Sequence, residues 1–254
     1  IAVPEKFDAL KKKWKRPVYT RDGVLVDVLA NISLPNDADE AIECGADGVG
    51  LVRSEYLLTN RKEFPPQEIQ AKYYSKIFDK MQGKHCIVRL MDIGGDKIPS
   101  FFNMPTEFNP FMGWRAIRIL LERKDLFETQ LKAIIMAAGT RDYSIMVPMV
   151  TTLQEWLETK DFIKKVCKEM GVDVPKCGVL FEVPLAVLEI ETFMKEIDFA
   201  SIGTNDLLQY LSAADRNNPK VNYLYNPIEP AFLRIIKTAS DISQDHGKPL
   251  SICG

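Results

Sequence analysis

Histidine is scarce in this sequence, and closely spaced cysteine pairs are missing from it. Two histidines and five cysteines occur in 254 residues, and no C-x-x-C pair is present. An odd number of scattered cysteines argues against a disulfide framework or a zinc site, and it fits a reducing cytoplasm. No apolar run reaches the 18 residues that a membrane-spanning helix requires, so we expect no membrane partner. The sequence therefore predicts a cytoplasmic protein without disulfides or zinc.

Neither sign of charge dominates the composition. The formal net charge is -2, with 27% charged and 46% hydrophobic residues, as in an ordinary globular protein. Nucleic-acid binding favours a concentrated basic excess, whereas the short basic run at residues 11–16 is typical of a solvated helix face. We therefore expect no nucleic-acid partner. The length suits a single (β/α)8 barrel, which takes roughly 250 residues.

Short apolar runs alternate with longer helical patterns along most of the chain. Such alternation predicts βαβ units around a parallel sheet, and nearly continuous apolar runs predict strands that are covered on both faces. The seven predicted strands span residues 24–30, 49–52, 85–90, 144–148, 178–183, 198–202 and 249–253. The predicted helices span residues 37–44, 67–82, 112–122, 125–138, 153–170, 185–195, 206–212 and 230–244.

This pattern predicts the α/β class and a (β/α)8 barrel of the TIM type. A closed barrel needs an eighth strand, and the sequence stops just after the seventh, so we expect the last strand and helix to be missing. An open barrel has two unpaired edges, which predicts reduced stability or compensating contacts. Residues 1–15 have the pattern of a longer helix that enters from an upstream domain.

Polar residues occur where the predicted strands end. In a parallel barrel the carboxyl ends of the strands form one rim, which carries the active site. Glu182 lies in an apolar run, and a carboxylate there is rarely buried without a metal ion or an arginine. Other roles stay open, since a strand-end arginine can be a surface charge, Asn205 and Asp206 can cap a helix, and Cys253 can be an inert thiol. The rim residues are Arg53, Arg89, Asp92, Asp96, Glu182, Asn205, Asp206 and Cys253.

These residue types suit a small and strongly anionic substrate. Arginine is a planar, bidentate donor to phosphate and carboxylate groups. Two acidic oxygen ligands suit Mg²⁺, which keeps bound waters and takes further oxygens from a substrate. Gly94 and Gly95 allow a tight turn between Asp92 and Asp96, although the chain lacks a P-loop or dinucleotide motif.

Six motifs, in order, resemble the C-terminal catalytic domain of Enzyme I of the bacterial sugar phosphotransferase system. The resemblance covers nearly the whole chain from about residue 20, and the form DIGGDK at residues 92–97 favours Enzyme I over pyruvate phosphate dikinase and phosphoenolpyruvate synthase. Ser54 departs from the threonine that is common in the family. The motifs are GADGVGLVRSE (45–55), RLMDIGGDK (89–97), NPFMGWRAIR (109–118), FEVP (181–184), SIGTNDL (201–207) with Asp215-Arg216, and ICG (252–254).

The resemblance implies a phosphoenolpyruvate-binding barrel at residues 20–254, truncated at its carboxyl end. Residues 1–19 would be a linker helix from a missing N-terminal phosphohistidine domain. The implied enzyme is a homodimer that transfers phosphate from phosphoenolpyruvate to that histidine, then to HPr for sugar uptake, and releases pyruvate. The implied site comprises Arg53, Arg89, Arg115, Asn205, Asp206 and Arg216 for the substrate, Glu182 and Asp206 for Mg²⁺, and Cys253 as the acid-base group.

Two alternative functions remain open from the sequence. A Mg²⁺-dependent lyase that acts on a pyruvate enolate could share the barrel, acids and arginines, and a non-catalytic module could sense phosphoenolpyruvate and dimerise. The DIGGDK motif and the position of Cys253 favour the phosphotransferase. Neither His85 nor His246 has the Gly/Ser-rich surroundings of the phosphate-accepting histidine, so we expect that this chain alone does not phosphorylate HPr.

Overall fold

A computed structural model of the chain describes residues 17–59, 61–95, 99, 101–102 and 105–254. Across these ranges the strands form a two-stranded antiparallel sheet and a seven-stranded parallel sheet. The small sheet pairs β1 (Val18–Tyr19) with β2 (Leu25–Val26). The large sheet contains β3 (Leu29–Ile32), β4 (Gly48–Arg53), β5 (Cys86–Arg89), β6 (Tyr143–Val147), β7 (Lys176–Phe181), β8 (Phe199–Gly203) and β9 (Leu250–Cys253).

The strand order in the large sheet follows the sequence, and each neighbouring pair is parallel. Parallel neighbours need crossover connections, which the intervening helices supply. Strand β9 also contacts β4, although the two strands lie far apart in the strand order. The sheet is therefore strongly curled. The predicted α/β barrel architecture is confirmed as a partly closed barrel with β3 and β9 at its two edges.

The helices pack against the sheet, and local sequence signals define their ends. In α5, the side chains of Thr152 and Glu155 accept hydrogen bonds from each other's backbone amides, and Gly171 ends the helix in the left-handed conformation with φ 68°. The described helices are α1 (Asp37–Glu43), α2 (Gln67–Lys80), α3 (Ile117–Glu122), α4 (Lys124–Ala138), α5 (Leu153–Met170), α6 (Pro184–Leu188), α7 (Ile190–Met194), α8 (Thr204–Ser212) and α9 (Pro230–Asp245).

Apolar side chains fill both faces of the curled sheet. Residues such as Val52, Val88 and Val179 belong to the large core that the sheet shares with the helices. A separate cluster takes one residue from each of the strands β4 to β8, and Cys253 packs against it. Barrel interiors are filled by such layers, so the carboxyl end of the sheet lies above a packed interior. The residues of this cluster are Leu51, Ile87, Met146, Leu180 and Phe199.

The predicted strand at residues 24–30 is wrong in its extent. The chain forms two strands here, and β2 belongs to the antiparallel hairpin, whereas the barrel strand β3 begins only at Leu29. The backbone amide of Val28 donates to Oδ2 of Asp47 at 2.8 Å. Because this amide is bound by a side chain and not by a neighbouring strand, the chain between β2 and β3 is not part of either strand.

Two predicted helices also differ from the structure. The helix predicted at residues 112–122 begins only at Ile117, because Ala116 has φ 52° and ψ -120°, which lies outside helical geometry. The helix predicted at residues 185–195 is divided into α6 and α7 at Glu189, where φ is -102° and ψ is 15°.

The predicted linker helix falls largely outside the described residues. Residues 1–16 of it are not described, and Val18–Tyr19 forms strand β1. Among the described helices, none combines the length and the apolar character that crossing a membrane requires.

Candidate active site

The strand ends bring the predicted rim residues to one end of the sheet. Arg53 and Arg89 are the last residues of β4 and β5, and they pair directly in register. Glu182 follows the last residue of β7, and Cys253 ends β9. The first turn of α8, which begins where β8 ends, carries Asp206. All these positions lie at the carboxyl end of the sheet, where α/β barrels bind their ligands.

Arg89 is a buried cation between two acidic side chains. Its Nη2 atom lies 2.6 Å from Oε1 of Glu55 and 3.5 Å from Oδ2 of Asp92. The side chain is only 6% exposed, and its Nε atom has no hydrogen-bond partner among the described residues. A buried donor without an acceptor is costly, so this atom is well suited to an anionic ligand oxygen.

Arg115 connects two acidic residues of the site. Its Nε and Nη2 atoms donate to the two carboxylate oxygens of Asp92 at 2.8 and 2.9 Å. Its Nη1 and Nη2 atoms lie 3.3 Å from the carboxylate oxygens of Asp206, and Nη1 lies 3.3 Å from the hydroxyl of Tyr210. With 1% of its surface exposed, Arg115 is held in one orientation by charge-assisted bonds on two sides.

Unusual backbone conformations position Arg115 and its neighbours. Ala116 has φ 52° and donates its amide to the carbonyl of Ile93 at 2.8 Å. Gly94 has φ 114°, and a Cβ atom there would lie 2.9 Å from Cβ of Arg115, so only glycine fits. Strained backbone of this kind persists where packing fixes it, commonly at functional sites.

Glu182 is a buried carboxylate held by the backbone. It is 2% exposed, and its Oε1 atom accepts a hydrogen bond of 2.8 Å from the amide of Met149, a residue with φ 59°. A Cβ atom on Gly203 would lie 2.9 Å from Oε2 of Glu182, so the glycine leaves room for this carboxylate. Burial, followed by the charges of Asp206 and Asp92, raises the pKa of Glu182 to about 8.

The paired acids fit a magnesium ion that is completed by other ligands. Asp206 is 7% exposed, and its charge raises the pKa of Glu182, so the two carboxylates are close enough to repel each other. A divalent cation relieves such repulsion. The described residues contain no cluster of three or more His, Cys, Asp or Glu side chains suited to a metal. Two carboxylates with oxygens from water and substrate match the usual coordination of Mg²⁺.

Asn205 and Arg216 lie beside Asp206. Nη1 of Arg216 is 3.7 Å from Oδ1 of Asp206, and this buried atom has no hydrogen-bond partner within the described ranges. Oδ1 of Asn205 accepts a hydrogen bond of 2.9 Å from the hydroxyl of Tyr225. The group therefore offers cationic and amide donors next to the two acids.

Cys253 lies within the electrostatic field of the same residues. Burial raises the pKa of its thiol, and a hydrogen bond from Ser201, whose Oγ atom is 3.7 Å from Sγ, opposes that shift. The charge of Glu182 raises the thiol pKa further, while the charges of Arg89 and Arg53 lower it. The net rise keeps the group a protonated thiol at neutral pH, which is the state that a proton donor requires.

A buried network of hydrogen bonds holds the backbone at the end of β5. The side chain of Gln130 on α4 accepts a hydrogen bond from the amide of Met91 and donates to the hydroxyls of Ser54 and Tyr74, each at 3.1 Å. Ser54 in turn donates to the carbonyl of Arg89 at 2.7 Å. Because Gln130 and Ser54 are fully buried, the network fixes the backbone that carries Arg89.

The structure joins most predicted site residues by direct contact or by charge. Arg115, Asp206 and Arg216 form one group of ion pairs. Arg53 pairs with Arg89 in the register of the sheet, and its charge lowers the pKa of the Cys253 thiol. Asp96 lies outside the described residues. Sequence reasoning missed five supporting residues, because each contacts a residue distant in the sequence: Glu55, Tyr74, Gln130, Tyr210 and Tyr225.

Comparisons with known proteins place the chain in one family. A family model described as "PEP-utilising enzyme, PEP-binding domain" matches residues 8–254. Curated relatives named phosphoenolpyruvate-protein phosphotransferase are 41% identical to the chain in Geobacillus stearothermophilus, in Staphylococcus aureus strain MSSA476 and in Listeria monocytogenes strain EGD-e. Each alignment covers 98% of this chain and 45%, 46% and 44% of the relative, respectively. The chain thus spans a little under half the length of these relatives.

A solved structure of a citrate lyase from Burkholderia xenovorans LB400 is also similar. The TM-score is 0.48 at 16% sequence identity, and the match covers 72% of this chain and 50% of that chain.

Proposed function

Because the chain belongs to the phosphoenolpyruvate-binding domain family of the phosphoenolpyruvate-utilising enzymes, we propose that it binds phosphoenolpyruvate together with Mg²⁺ at the candidate active site. In this proposal the phosphoryl group passes to a histidine on another domain, and pyruvate is released. The whole reaction is that of the relatives named phosphoenolpyruvate-protein phosphotransferase, of which the chain matches a little under half.

One observation carries the proposal, namely the pairing of buried arginines with buried acids at one end of the sheet. Arg89 and Arg115 are nearly inaccessible; the charge of Glu182 acts on both, and the charge of Asp206 acts on Arg115. An anionic substrate needs the arginines, and a divalent cation needs the acids. Phosphoenolpyruvate offers phosphate and carboxylate groups to the first set and oxygen ligands for Mg²⁺ to the second.

The residues of the chain bind and orient the substrate in this proposal. Arg53, Arg89 and Arg216, assisted by Arg115, hold the phosphate and carboxylate groups, and Asn205 donates to a phosphate oxygen. Glu182 and Asp206 would hold Mg²⁺, which supplies positive charge to the substrate oxygens and so stabilises the leaving enolate. Phosphoryl transfer depends mainly on positioning and charge neutralisation, and this arrangement supplies both. The residues proposed to bind the substrate are Arg53, Arg89, Arg115, Asn205, Asp206 and Arg216.

Cys253 completes the proposed reaction as the proton donor. Cleavage of the P–O bond leaves the enolate of pyruvate, while a new P–N bond forms on the histidine. The thiol of Cys253 then donates its proton to C3 of the enolate, which yields pyruvate and a thiolate that solvent reprotonates. The raised pKa of Cys253 supports this role, because a thiol must retain its proton until the enolate forms.

The accepting histidine belongs to a different domain in this proposal. Nδ1 of His85 lies 2.9 Å from Asp142, and its Nε2 lies 3.1 Å from the hydroxyl of Ser144. Both ring nitrogens are therefore engaged, and His85 precedes β5 at the opposite end of the sheet from the rim. The resemblance to Enzyme I extends the proposal to an N-terminal phosphohistidine domain, to HPr as the next acceptor, to a homodimer and to a cytoplasmic location.

Calorimetric titration of the chain with phosphoenolpyruvate tests the proposal. We expect saturable binding that is stronger with Mg²⁺ than with EDTA, and we expect a large loss of affinity in Arg89→Ala. Arg234→Ala, at an exposed position of α9, is the matched control and should bind as the wild type does. Absence of binding by the folded wild-type chain, with or without Mg²⁺, would overturn the proposed function.

A further inference from the structure

Tyr225 joins two residues of the proposed anion site, and no motif assigns it a role. It follows the 3-10 helix Asn222–Leu224 and is partly buried. Its hydroxyl donates to Oδ1 of Asn205 at 2.9 Å, across 20 residues of sequence. The charge of Arg216 lowers the pKa of the same phenol, so the guanidinium group lies near the hydroxyl. Tyr225 thus lies between an amide and a cation, both of which the proposed function assigns to the substrate.

The neighbouring cation fixes the direction of this hydrogen bond. Burial raises the pKa of Tyr225, so the phenol keeps its proton, while the charge of Arg216 acts in the opposite sense. A guanidinium group carries only N–H donors and a positive charge, so the lone pairs of the Tyr225 oxygen, and not its proton, turn towards Arg216. The single phenolic proton is then directed to Asn205. That residue must present its carbonyl oxygen to Tyr225, not its amino group.

The amino group of Asn205 is consequently available to a ligand. Of the hydrogen bonds made by described residues, the one from Tyr225 is the contact of the Asn205 side chain, and it uses only Oδ1. The buried Nη1 atom of Arg216 likewise has no hydrogen-bond acceptor in the described part of the chain. The amino group of Asn205 and Nη1 of Arg216 can therefore both donate to an acceptor such as a phosphate oxygen.

We propose that Tyr225 is a positioning residue that holds the Asn205 amide with Nδ2 towards the phosphate of the anionic substrate. This inference rests on the proposed function for the identity of the substrate. The amino end of the amide donates hydrogen bonds and the oxygen end accepts them. The reversed orientation would therefore direct oxygen lone pairs at the phosphate, which repels them. Tyr225 acts through Asn205 and need not touch the substrate.

A double-mutant cycle tests the coupling between the two residues. Binding of phosphoenolpyruvate with Mg²⁺ is measured by calorimetry for the wild type, Tyr225→Phe, Asn205→Ala and the double variant. Loss of one hydrogen bond that orients a donor predicts about tenfold weaker binding for Tyr225→Phe. We expect Asn205→Ala to lose far less affinity in the Tyr225→Phe background than in the wild type. Additive losses would overturn the proposal.

Tyr223→Phe is the matched control for this cycle. Tyr223 lies in the same short segment, is 75% exposed, and should bind the substrate as the wild type does after losing its hydroxyl. Unfolding curves for all variants check that the fold is retained. A loss of affinity in Tyr223→Phe equal to that in Tyr225→Phe would assign the effect to the segment and overturn a specific role for Tyr225.

A second measurement reports the amide orientation without any substrate. The side-chain amide signals of Asn205 are identified in a nitrogen–proton spectrum by their loss in Asn205→Ala. We expect Tyr225→Phe to shift these signals and Tyr223→Phe to leave them in place. Unchanged signals in Tyr225→Phe would overturn the proposal even if substrate binds. Failure of the wild type to bind phosphoenolpyruvate would instead overturn the proposed function, and the spectra would still decide whether Tyr225 holds the amide.

Discussion

Asp92 accepts hydrogen bonds from two nitrogen atoms of Arg115, at 2.8 and 2.9 Å, and neither side chain is appreciably exposed. This parallel arrangement fixes the plane of the guanidinium group as well as its position. Asp206 contacts the same guanidinium group at 3.3 Å. The orientation of Arg115 therefore depends first on Asp92.

Replacing Asp92 by asparagine should destabilise the protein strongly. The change leaves the charge of Arg115 buried without its closest partner, and removing one member of a buried pair typically costs about 3–5 kcal/mol. Urea unfolding measures the difference in the free energy of unfolding. Asp241→Asn, which removes an exposed ion pair with Lys237, should leave stability nearly unchanged. Equal stability of Asp92→Asn and the wild type would contradict this prediction.

Replacing Cys253 by alanine should separate binding from proton transfer. The thiol is the proposed donor to C3 of the enolate, so we expect Cys253→Ala to bind phosphoenolpyruvate but not to exchange the C3 protons of pyruvate. Proton exchange in deuterium oxide, followed by magnetic resonance with Mg²⁺ present, measures this step. Cys44→Ala, remote from the rim, should exchange at the wild-type rate. Undiminished exchange in Cys253→Ala would show that another group donates the proton.

The raised pKa of Glu182 should make stability depend on pH in metal-free buffer. Its ordinary pKa is 4.5, and burial, Asp206 and Asp92 raise the folded value to about 8. Between these values the folded state binds the proton and the unfolded state does not, so this group's contribution to stability falls as pH rises. Urea unfolding in EDTA across this range should give a decline that Glu182→Gln lessens. The same decline in Glu182→Gln would exclude Glu182 as its source.

Replacing Gln130 by leucine should lower the stability of the protein and its affinity for phosphoenolpyruvate. The change leaves the amide of Met91 and the hydroxyl of Tyr74 without their buried partner, and each such loss costs about 1–3 kcal/mol. Thermal or urea unfolding measures the effect, and Gln154→Leu on the exposed face of α5 is the control. An affinity for phosphoenolpyruvate that falls by more than that of the control would support a role in fixing the strand end. Equal stability of the two variants would argue against the network.

The barrel could be predicted because its signals are local and repeated. Each parallel strand is a short apolar run, and the helix α5 matches its predicted bounds because Thr152 and Gly171 mark its ends. The rim followed from topology, since parallel strands place their carboxyl ends together. Glu182 was identifiable as a buried acid because its neighbours in the sequence are apolar.

The remaining features depend on contacts between distant residues, which one sequence does not reveal. Residues 113–116 fall within a predicted helix, yet they form a loop because Arg115 is bound by Asp92 and Asp206 and Ala116 takes a positive φ. The first barrel strand starts late because Asp47 binds the amide of Val28. In both places tertiary hydrogen bonds override the local pattern.

The ion pair between Arg115 and Asp206 joins positions 91 residues apart, and the hydrogen bond from Tyr210 to the carbonyl of Phe111 joins positions 99 apart. The residues that contact one another in the site come from distant parts of the chain. The site therefore forms only when the curled sheet is assembled. A ligand held there binds the native state alone and therefore shifts the melting temperature of the entire domain upward with concentration. Thermal denaturation is consequently a measure of occupancy for this molecule, without any need to follow turnover.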